Sequence, residues 1–169
     1  MTTPTTPHQR TVFVVHGHDE AARLSVEKFL RQLELNPVVL QDQPNRSRTI
    51  FEKFEDYADV DLAVVLLTPD DRGASARDIG AALANRRRLQ SVLRPRARQN
   101  VLLELGYFLG KGTRKRVCAL YKEGVELPSD LLGVTYVPFD DYGAWRQELA
   151  REIDAAGIPF DGTRVFRPV

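Results

Sequence analysis

Cysteine, methionine and tryptophan are nearly absent from this sequence of 169 residues, in which each occurs once. Because Cys118 has no second cysteine to pair with, an intrachain disulfide is excluded, as is typical of a protein from a reducing compartment. His16 and His18 stand far along the chain from Cys118, so the sequence offers too few ligands for a structural zinc ion. We therefore expect a cytoplasmic protein without a bound metal.

Long hydrophobic runs and an excess of one charge are also lacking. The most hydrophobic stretch, 61–68, is far too short to cross a bilayer, and no signal-peptide pattern precedes the first predicted strand. The 24 Lys and Arg residues nearly balance the 23 Asp and Glu residues. This balance gives no global attraction to nucleic acid or to an anionic membrane, and we expect neither as a partner.

What the sequence does contain is an alternation of predicted strands and helices. A Thr- and Pro-rich tail, 1–10, precedes a single predicted domain, 11–169. Apolar or β-branched runs predict five strands, at 11–16, 37–40, 61–68, 116–121 and 134–139. Helices are predicted between them, and the predicted helix-capping residues are Asp19 for the first, Thr49 with Glu52 for the second and Asp141 for the last. Residues 69–97 form an Arg-rich insertion with a weak helical pattern.

Alternating strands and helices predict an α/β fold with a doubly wound parallel sheet. The stretch 61–68 is apolar without alternation, which places it in the middle of a sheet that helices cover on both faces. For five strands we expect the flavodoxin-like order 2-1-3-4-5. Ligands then bind beyond the carboxyl ends of strands one and three, where the strand order reverses.

The segment 98–111 is predicted to be a helix whose apolar stripe faces the core. Glu104 lies at the edge of that stripe, between Asn100 and Tyr107, and no cation stands three or four residues away. A desolvated carboxylate costs free energy unless something uses it, so Glu104 is a candidate functional residue. Gly106 and Gly110 cost roughly 1 kcal/mol each in a helix interior, which favours close approach of another backbone or a ligand there.

Several motifs together resemble one known family. They lie at 12–19, 43–50, 66–71, 96–101, 104–108 and 117–121. The family is the bacterial TIR-like domain once labelled "predicted nucleotide-binding", the effector half of STING-type and cyclic-nucleotide-activated anti-phage proteins. The resemblance covers roughly residues 11–157. One departure is Asn100, since some TIR domains have an aromatic residue one turn before the glutamate.

The resemblance implies an NAD⁺ glycohydrolase that cleaves the nicotinamide–ribose bond, with Glu104 as the catalytic residue. NAD⁺ would be the substrate, without a further cofactor. It also implies a homo-oligomer that assembles through the 41–48 loop and the Glu104 helix, and a fused or separate cyclic-nucleotide sensor. The candidate substrate-binding residues are His16, Gly17, His18, Asn45, Arg46, Thr68, Asp70, Asn100 and Tyr107.

Other interpretations of the same residues stay open. Nucleoside deoxyribosyltransferases share the scaffold and also use a helix glutamate, whereas a TIR adaptor signals by assembly alone and has no need of Glu104. His16 and His18 can equally be polar residues that hydrogen-bond the turn after a strand. The Arg-rich insertion lacks interleaved aromatic residues, which favours a solvated lid or contact surface over a nucleic-acid site.

Overall fold

The computed structural model describes residues 10–39, 60–111, 116–129 and 134–166. Its strands are β1 Thr11–Val15, β2 Asn36–Val39, β3 Leu62–Leu67, β4 Asp71–Gly73, β5 Arg94–Arg96, β6 Val117–Tyr121 and β7 Thr135–Pro138. Its helices are α1 Glu20–Gln32, α2 Ala76–Ala84, α3 Gln99–Lys111 and α4 Trp145–Ala155, with short 3₁₀ turns at Leu89–Ser91 and Gly162–Arg164. None of the helices in these ranges combines the length and the apolar character that spanning a membrane requires.

Five strands form one parallel sheet in the order β2-β1-β3-β6-β7. Counted along the chain, these are the five strands expected from the sequence, and their order is the flavodoxin-like 2-1-3-4-5. The predicted fold class is therefore confirmed. All six residues of β3 are buried, as the apolar character of this segment on both faces predicts.

Helices cover both faces of this sheet. On one face, α1 and α4 bury Phe29, Leu30 and Leu149 against alternate residues of the strands. On the other face, α3 packs on β1, β3 and β6. There the Phe13 and Phe108 rings lie 4.8 Å apart, centroid to centroid. The helix with Glu104 therefore lies across the centre of the sheet. The helix predicted from Thr49, with its Glu52 cap, lies outside the described residues.

The Arg-rich insertion is more structured than its sequence indicates. The weak helical pattern extends to Leu93, whereas the helix that forms there, α2, ends at Ala84. Strands β4 and β5 instead pair antiparallel, with Asp71 opposite Arg96. This two-stranded ribbon joins the end of β3 to the start of α3, so both ends of the insertion adjoin the predicted ligand-binding edge.

The caps of α1 and α4 test two predictions at single residues. Asp19 caps α1, because its Oδ1 accepts a hydrogen bond of 3.0 Å from the Ala22 N–H. The prediction that Asp141 caps the last helix was wrong. The N-cap position is Ala144, and the first N–H groups are satisfied by the carboxylate of Asp140, which accepts hydrogen bonds from Ala144 at 3.1 Å and Trp145 at 2.9 Å. Burial alone would raise the pKa of Asp140, but these backbone bonds lower it below the usual value.

Asp140→Ala should lower the free energy of unfolding by about 1–2 kcal/mol, because two backbone N–H groups at the start of α4 lose their acceptor. Asp141→Ala is the matched control: it removes the same charge from the next residue, which is exposed, and should change stability by less than about 0.5 kcal/mol. Urea unfolding of both variants measures the difference. Equal losses would contradict the assignment of the cap.

Candidate active site

Two loops meet at the carboxyl ends of β1 and β3. Residues 16–19 follow β1, and residues 68–70 follow β3. Strands β1 and β3 are neighbours in the sheet, while β2 lies on the far side of β1, so the strand order reverses here. In open α/β sheets, ligands usually bind in the crevice beyond such a reversal of strand order. These two loops therefore border the predicted ligand crevice.

Glu104 is half-buried on α3, the helix that covers these two strands. Burial raises the pKa of its carboxyl group from 4.5 to about 7, and the Arg98 guanidinium opposes this shift only in part. Both protonation states are therefore accessible near neutral pH. Arg98 stands six residues before Glu104 and just outside the helix, so the helical spacing of three or four residues does not reveal this cation.

The helical neighbours of Glu104 have different surroundings. Asn100, one turn earlier, is exposed. Tyr107, about one turn later, is half-buried, and its ring meets the edge of Phe108 at a centroid distance of 5.5 Å. A Cβ added at Gly106 or Gly110 would meet nothing within 4 Å. Within the described residues, the close approach that these glycines led us to expect is therefore not made.

A close approach does occur at Gly17, where Asp70 lies directly over the backbone. A Cβ added at Gly17 would stand 1.7 Å from Oδ2 of Asp70, so this contact requires glycine. The same Oδ2 accepts a hydrogen bond of 2.9 Å from the hydroxyl group of Thr68, which is only 2% exposed. The structure thus brings Gly17, Thr68 and Asp70 into contact. It also shows that the space over Gly17 is occupied by a carboxylate of the same chain.

Gly17→Ala should displace the Asp70 carboxylate, break its bond to Thr68 and lower the free energy of unfolding by about 1–2 kcal/mol. Gly106→Ala is the control, because a Cβ there meets no atom and the helix gains a better helix former. We expect it to raise stability by about 0.5–1 kcal/mol. Denaturant unfolding measures the free energy of unfolding of both variants. Equal losses in the two variants would contradict the contact between Gly17 and Asp70.

The two histidines differ in exposure. His16 is 6% exposed, and its Nδ1 lies 2.8 Å from the carbonyl oxygen of Gly17. A carbonyl oxygen only accepts, so Nδ1 carries the proton in the neutral ring. His18 is exposed at the end of β1. His16 therefore hydrogen-bonds the turn after β1, while His18 faces solvent.

The loop after β1 forms an ion pair that the sequence did not indicate. Lys122 Nζ, just after β6, lies 2.6 Å from Oδ2 of Asp19. Burial alone would raise the pKa of Asp19, but Lys122 and the Ala22 N–H lower it below the usual value. Lys122 also borders a cavity of about 590 Å³ at the carboxyl ends of β6 and β7, with Phe139 and Tyr142 on its wall.

Two candidate residues, Asn45 and Arg46, lie outside the described residues. Across the residues that the structure does describe, no group of three or more His, Cys, Asp or Glu side chains could hold a metal ion. Cys118 is buried, and burial raises the pKa of its thiol to about 12, so it is not a nucleophile. Among the described candidate residues, carboxylates are supplied by Glu104 on α3 and by Asp70 after β3.

Residues 11–141 match the family described as the TIR domain of the CAP12/Pycsar effector protein. The chain belongs to this family. The resemblance inferred from its motifs is thereby confirmed, and the TIR domain shares its family with bacterial anti-phage effectors. The match includes the loops after β1 and β3 as well as the whole of α3.

Individual relatives extend the comparison. The "Uncharacterized protein YuaY" of Escherichia coli strain K12 is 47% identical over 156 residues, which are 92% of this chain and 48% of YuaY. Protein tirC of Dictyostelium discoideum is 32% identical over 150 residues, 85% of this chain and 69% of tirC. The Pycsar effector protein BcPycTIR of Burkholderia cepacia is 49% identical over 47 residues, 27% of this chain and 16% of BcPycTIR. The chain thus spans about half the length of YuaY.

Proposed function

We propose that this TIR domain is an NAD⁺ glycohydrolase and that it acts as an anti-phage effector by depleting NAD⁺. The observation that carries the proposal is Glu104, a half-buried carboxylate with a raised pKa on the helix that covers the strand-order reversal. Membership of a family of effector TIR domains supports it. NAD⁺ is then the substrate, and no further cofactor is needed.

The reaction requires little acid–base chemistry at the leaving group. Cleavage of the bond between C1′ of the ribose and the pyridinium nitrogen releases neutral nicotinamide, because the bonding electron pair neutralises the ring. The ribose becomes an oxocarbenium-like cation, and water adds at C1′ with loss of one proton to give ADP-ribose. An ionised Glu104 stabilises the developing cation electrostatically, most strongly in a site of low dielectric constant.

The decisive experiment incubates concentrated protein with NAD⁺ and measures free nicotinamide by chromatography. We expect nicotinamide and ADP-ribose, or a cyclised form of it, in equal amounts. A panel of nucleosides and 2′-deoxynucleosides in parallel assays tests the deoxyribosyltransferase interpretation. Cleavage of a nucleoside with NAD⁺ left intact would replace the proposal, and a protein inert toward every compound would support the adaptor interpretation.

Effector activity of this kind has to be controlled, and we propose control by assembly in the cytoplasm. The trigger would be a cyclic nucleotide bound by a fused or separate sensor. Two features of the chain support self-assembly: Gly106 and Gly110 leave open space on the surface of α3, and Leu103 is 48% exposed on the same helix. A second copy can approach α3 closely along this surface, together with the 41–48 loop.

Activity per subunit should rise with protein concentration or crowding, because a neighbouring copy completes the site. The measurement is the specific rate of nicotinamide release over about a hundredfold dilution series. Charge reversal at Arg46 or Arg48 should weaken assembly more than folding, with Arg151→Glu on α4 as a control at an exposed site. A specific rate that stays flat across the series would contradict control by assembly.

A further inference from the structure

The strongest unused feature of the crevice is the fixed position of Asp70. Two contacts determine where its carboxylate lies. Oδ2 accepts the Thr68 hydroxyl hydrogen at 2.9 Å, and the same atom packs on Gly17 more closely than any side chain there would permit. A polar side chain held from two sides in this way has lost its rotamer freedom before any ligand arrives, which is how binding groups are pre-organised.

The second oxygen of this carboxylate remains available. Oδ1 has no hydrogen-bond partner among the described residues, and no lysine or arginine in those ranges forms an ion pair with Asp70. Arg72, in β4, is exposed and forms no ion pair with Asp70, and the Arg96 guanidinium of β5 lies over Gly73, at the far end of β4 from Asp70. Asp70 is also only half-buried, so a ligand at this edge of the sheet can reach its carboxylate.

In α/β dinucleotide sites, a carboxylate from another strand commonly lies close to the glycine turn of the first strand. At the carboxyl end of a strand beside a glycine turn, it accepts a hydrogen bond from a ribose 2′-hydroxyl group. NAD⁺ has two riboses, and the proposed function assigns the nicotinamide ribose to Glu104. We therefore assign the adenosine ribose to Asp70. This step rests on the proposed function.

We infer that Asp70 binds the 2′-hydroxyl group of the adenosine ribose and makes the TIR domain reject NADP⁺. In NADP⁺ that hydroxyl hydrogen is replaced by a phosphate group. The donor to Asp70 disappears, and a carboxylate is left facing a dianion, which is strongly unfavourable. Thr68 and Gly17 act on this selectivity only by positioning Asp70.

The test compares kcat/KM for NAD⁺ and NADP⁺, with nicotinamide release as the assay. We expect kcat/KM of the unmodified protein to be about 10²-fold or more higher for NAD⁺ than for NADP⁺. In Asp70→Asn the two kcat/KM values should lie within about tenfold of each other, mostly because kcat/KM for NADP⁺ rises. Thr68→Val should shift the ratio in the same direction but less, because Asp70 then loses the group that orients it. Asp71→Asn is the matched control, since Asp71 is an exposed carboxylate one residue later.

A binding measurement separates this inference from the proposed function. Glu104→Gln should bind NAD⁺ but turn it over about 10²–10³-fold more slowly, so calorimetric titration of this variant, with and without Asp70→Asn, gives the affinity for both dinucleotides. If NAD⁺ is hydrolysed but Asp70→Asn leaves the ratio unchanged, Asp70 does not read the 2′ position. The same holds if Asp71→Asn changes the ratio equally. If neither dinucleotide is bound or cleaved, both the proposed function and this inference are wrong.

Discussion

Glu104→Gln should lower kcat for nicotinamide release about 10²–10³-fold while KM for NAD⁺ changes little. The substitution keeps the shape of the side chain and its hydrogen bonding but removes the negative charge. One preorganised electrostatic partner of a transition state is typically worth a loss of this size. The ground-state ribose is neutral and the cation appears only as the bond breaks. The substitution should therefore lower kcat and leave KM nearly unchanged.

The matched control is Glu123→Gln, which removes a carboxylate from an exposed turn after β6 and should leave kcat unchanged. Thermal stability of Glu104→Gln near pH 8 should hold or rise, because a desolvated charge is replaced by a neutral side chain of the same shape. A merely structural glutamate would give the reverse, with stability lost and turnover kept. A folded Glu104→Gln protein that releases nicotinamide at the parental rate would contradict the assignment of Glu104 as the catalytic residue.

The parallel sheet could be predicted because its signal lies within each segment. Residues 62–67 are apolar without alternation, which is typical of a strand covered on both faces. The apolar stripe of α3 shows the helical period, and Val101, Leu105 and Phe108 on that stripe are buried in the core. Asp19 was found as a cap because it directly precedes a helical pattern.

Other features depend on contacts between distant segments, which no local pattern reveals. Strands β4 and β5 have three residues each, separated by twenty, and neither shows an alternating pattern. The cap of α4 was assigned to the wrong one of two adjacent aspartates. There Gly143, with φ of 86°, shapes the turn so that the Asp140 carboxylate reaches the start of the helix.

The candidate site was predicted in composition but not in its internal contacts. The fold rule identified the loops after β1 and β3, and Thr68, Asp70 and Gly17 were all named from them. That Asp70 lies over Gly17 follows only from the register of β1 against β3 and the path of the chain beyond both strands. The influence of Arg98 on Glu104 was missed for a similar reason, since Arg98 belongs to the segment that leads out of β5.

Activity should rise with pH through a midpoint near 7, because only the ionised form of Glu104 stabilises the cation. Burial raises the pKa of this group to about 7, so each pH unit below the midpoint should lower kcat about tenfold. Between pH 8 and pH 5 the total change should be about 10²-fold. Arg98 lowers this pKa, so Arg98→Gln should move the midpoint to higher pH. A profile that is flat from pH 5 to 8 would contradict the role of Glu104.

Stability should change in the opposite direction over the same range. The folded-state pKa of Glu104, about 7, exceeds the value of 4.5 expected in the unfolded chain, so the folded protein binds more protons between these two values. The free energy of unfolding that Glu104 contributes is therefore fully present below about pH 4.5 and is lost as pH rises through 7. Urea unfolding at pH 5 and pH 8 should show a larger loss for the unmodified protein than for Glu104→Gln. Identical losses of unfolding free energy in the two proteins would mean that Glu104 titrates at its ordinary pKa. The ionised carboxylate that activity requires would then not destabilise the fold.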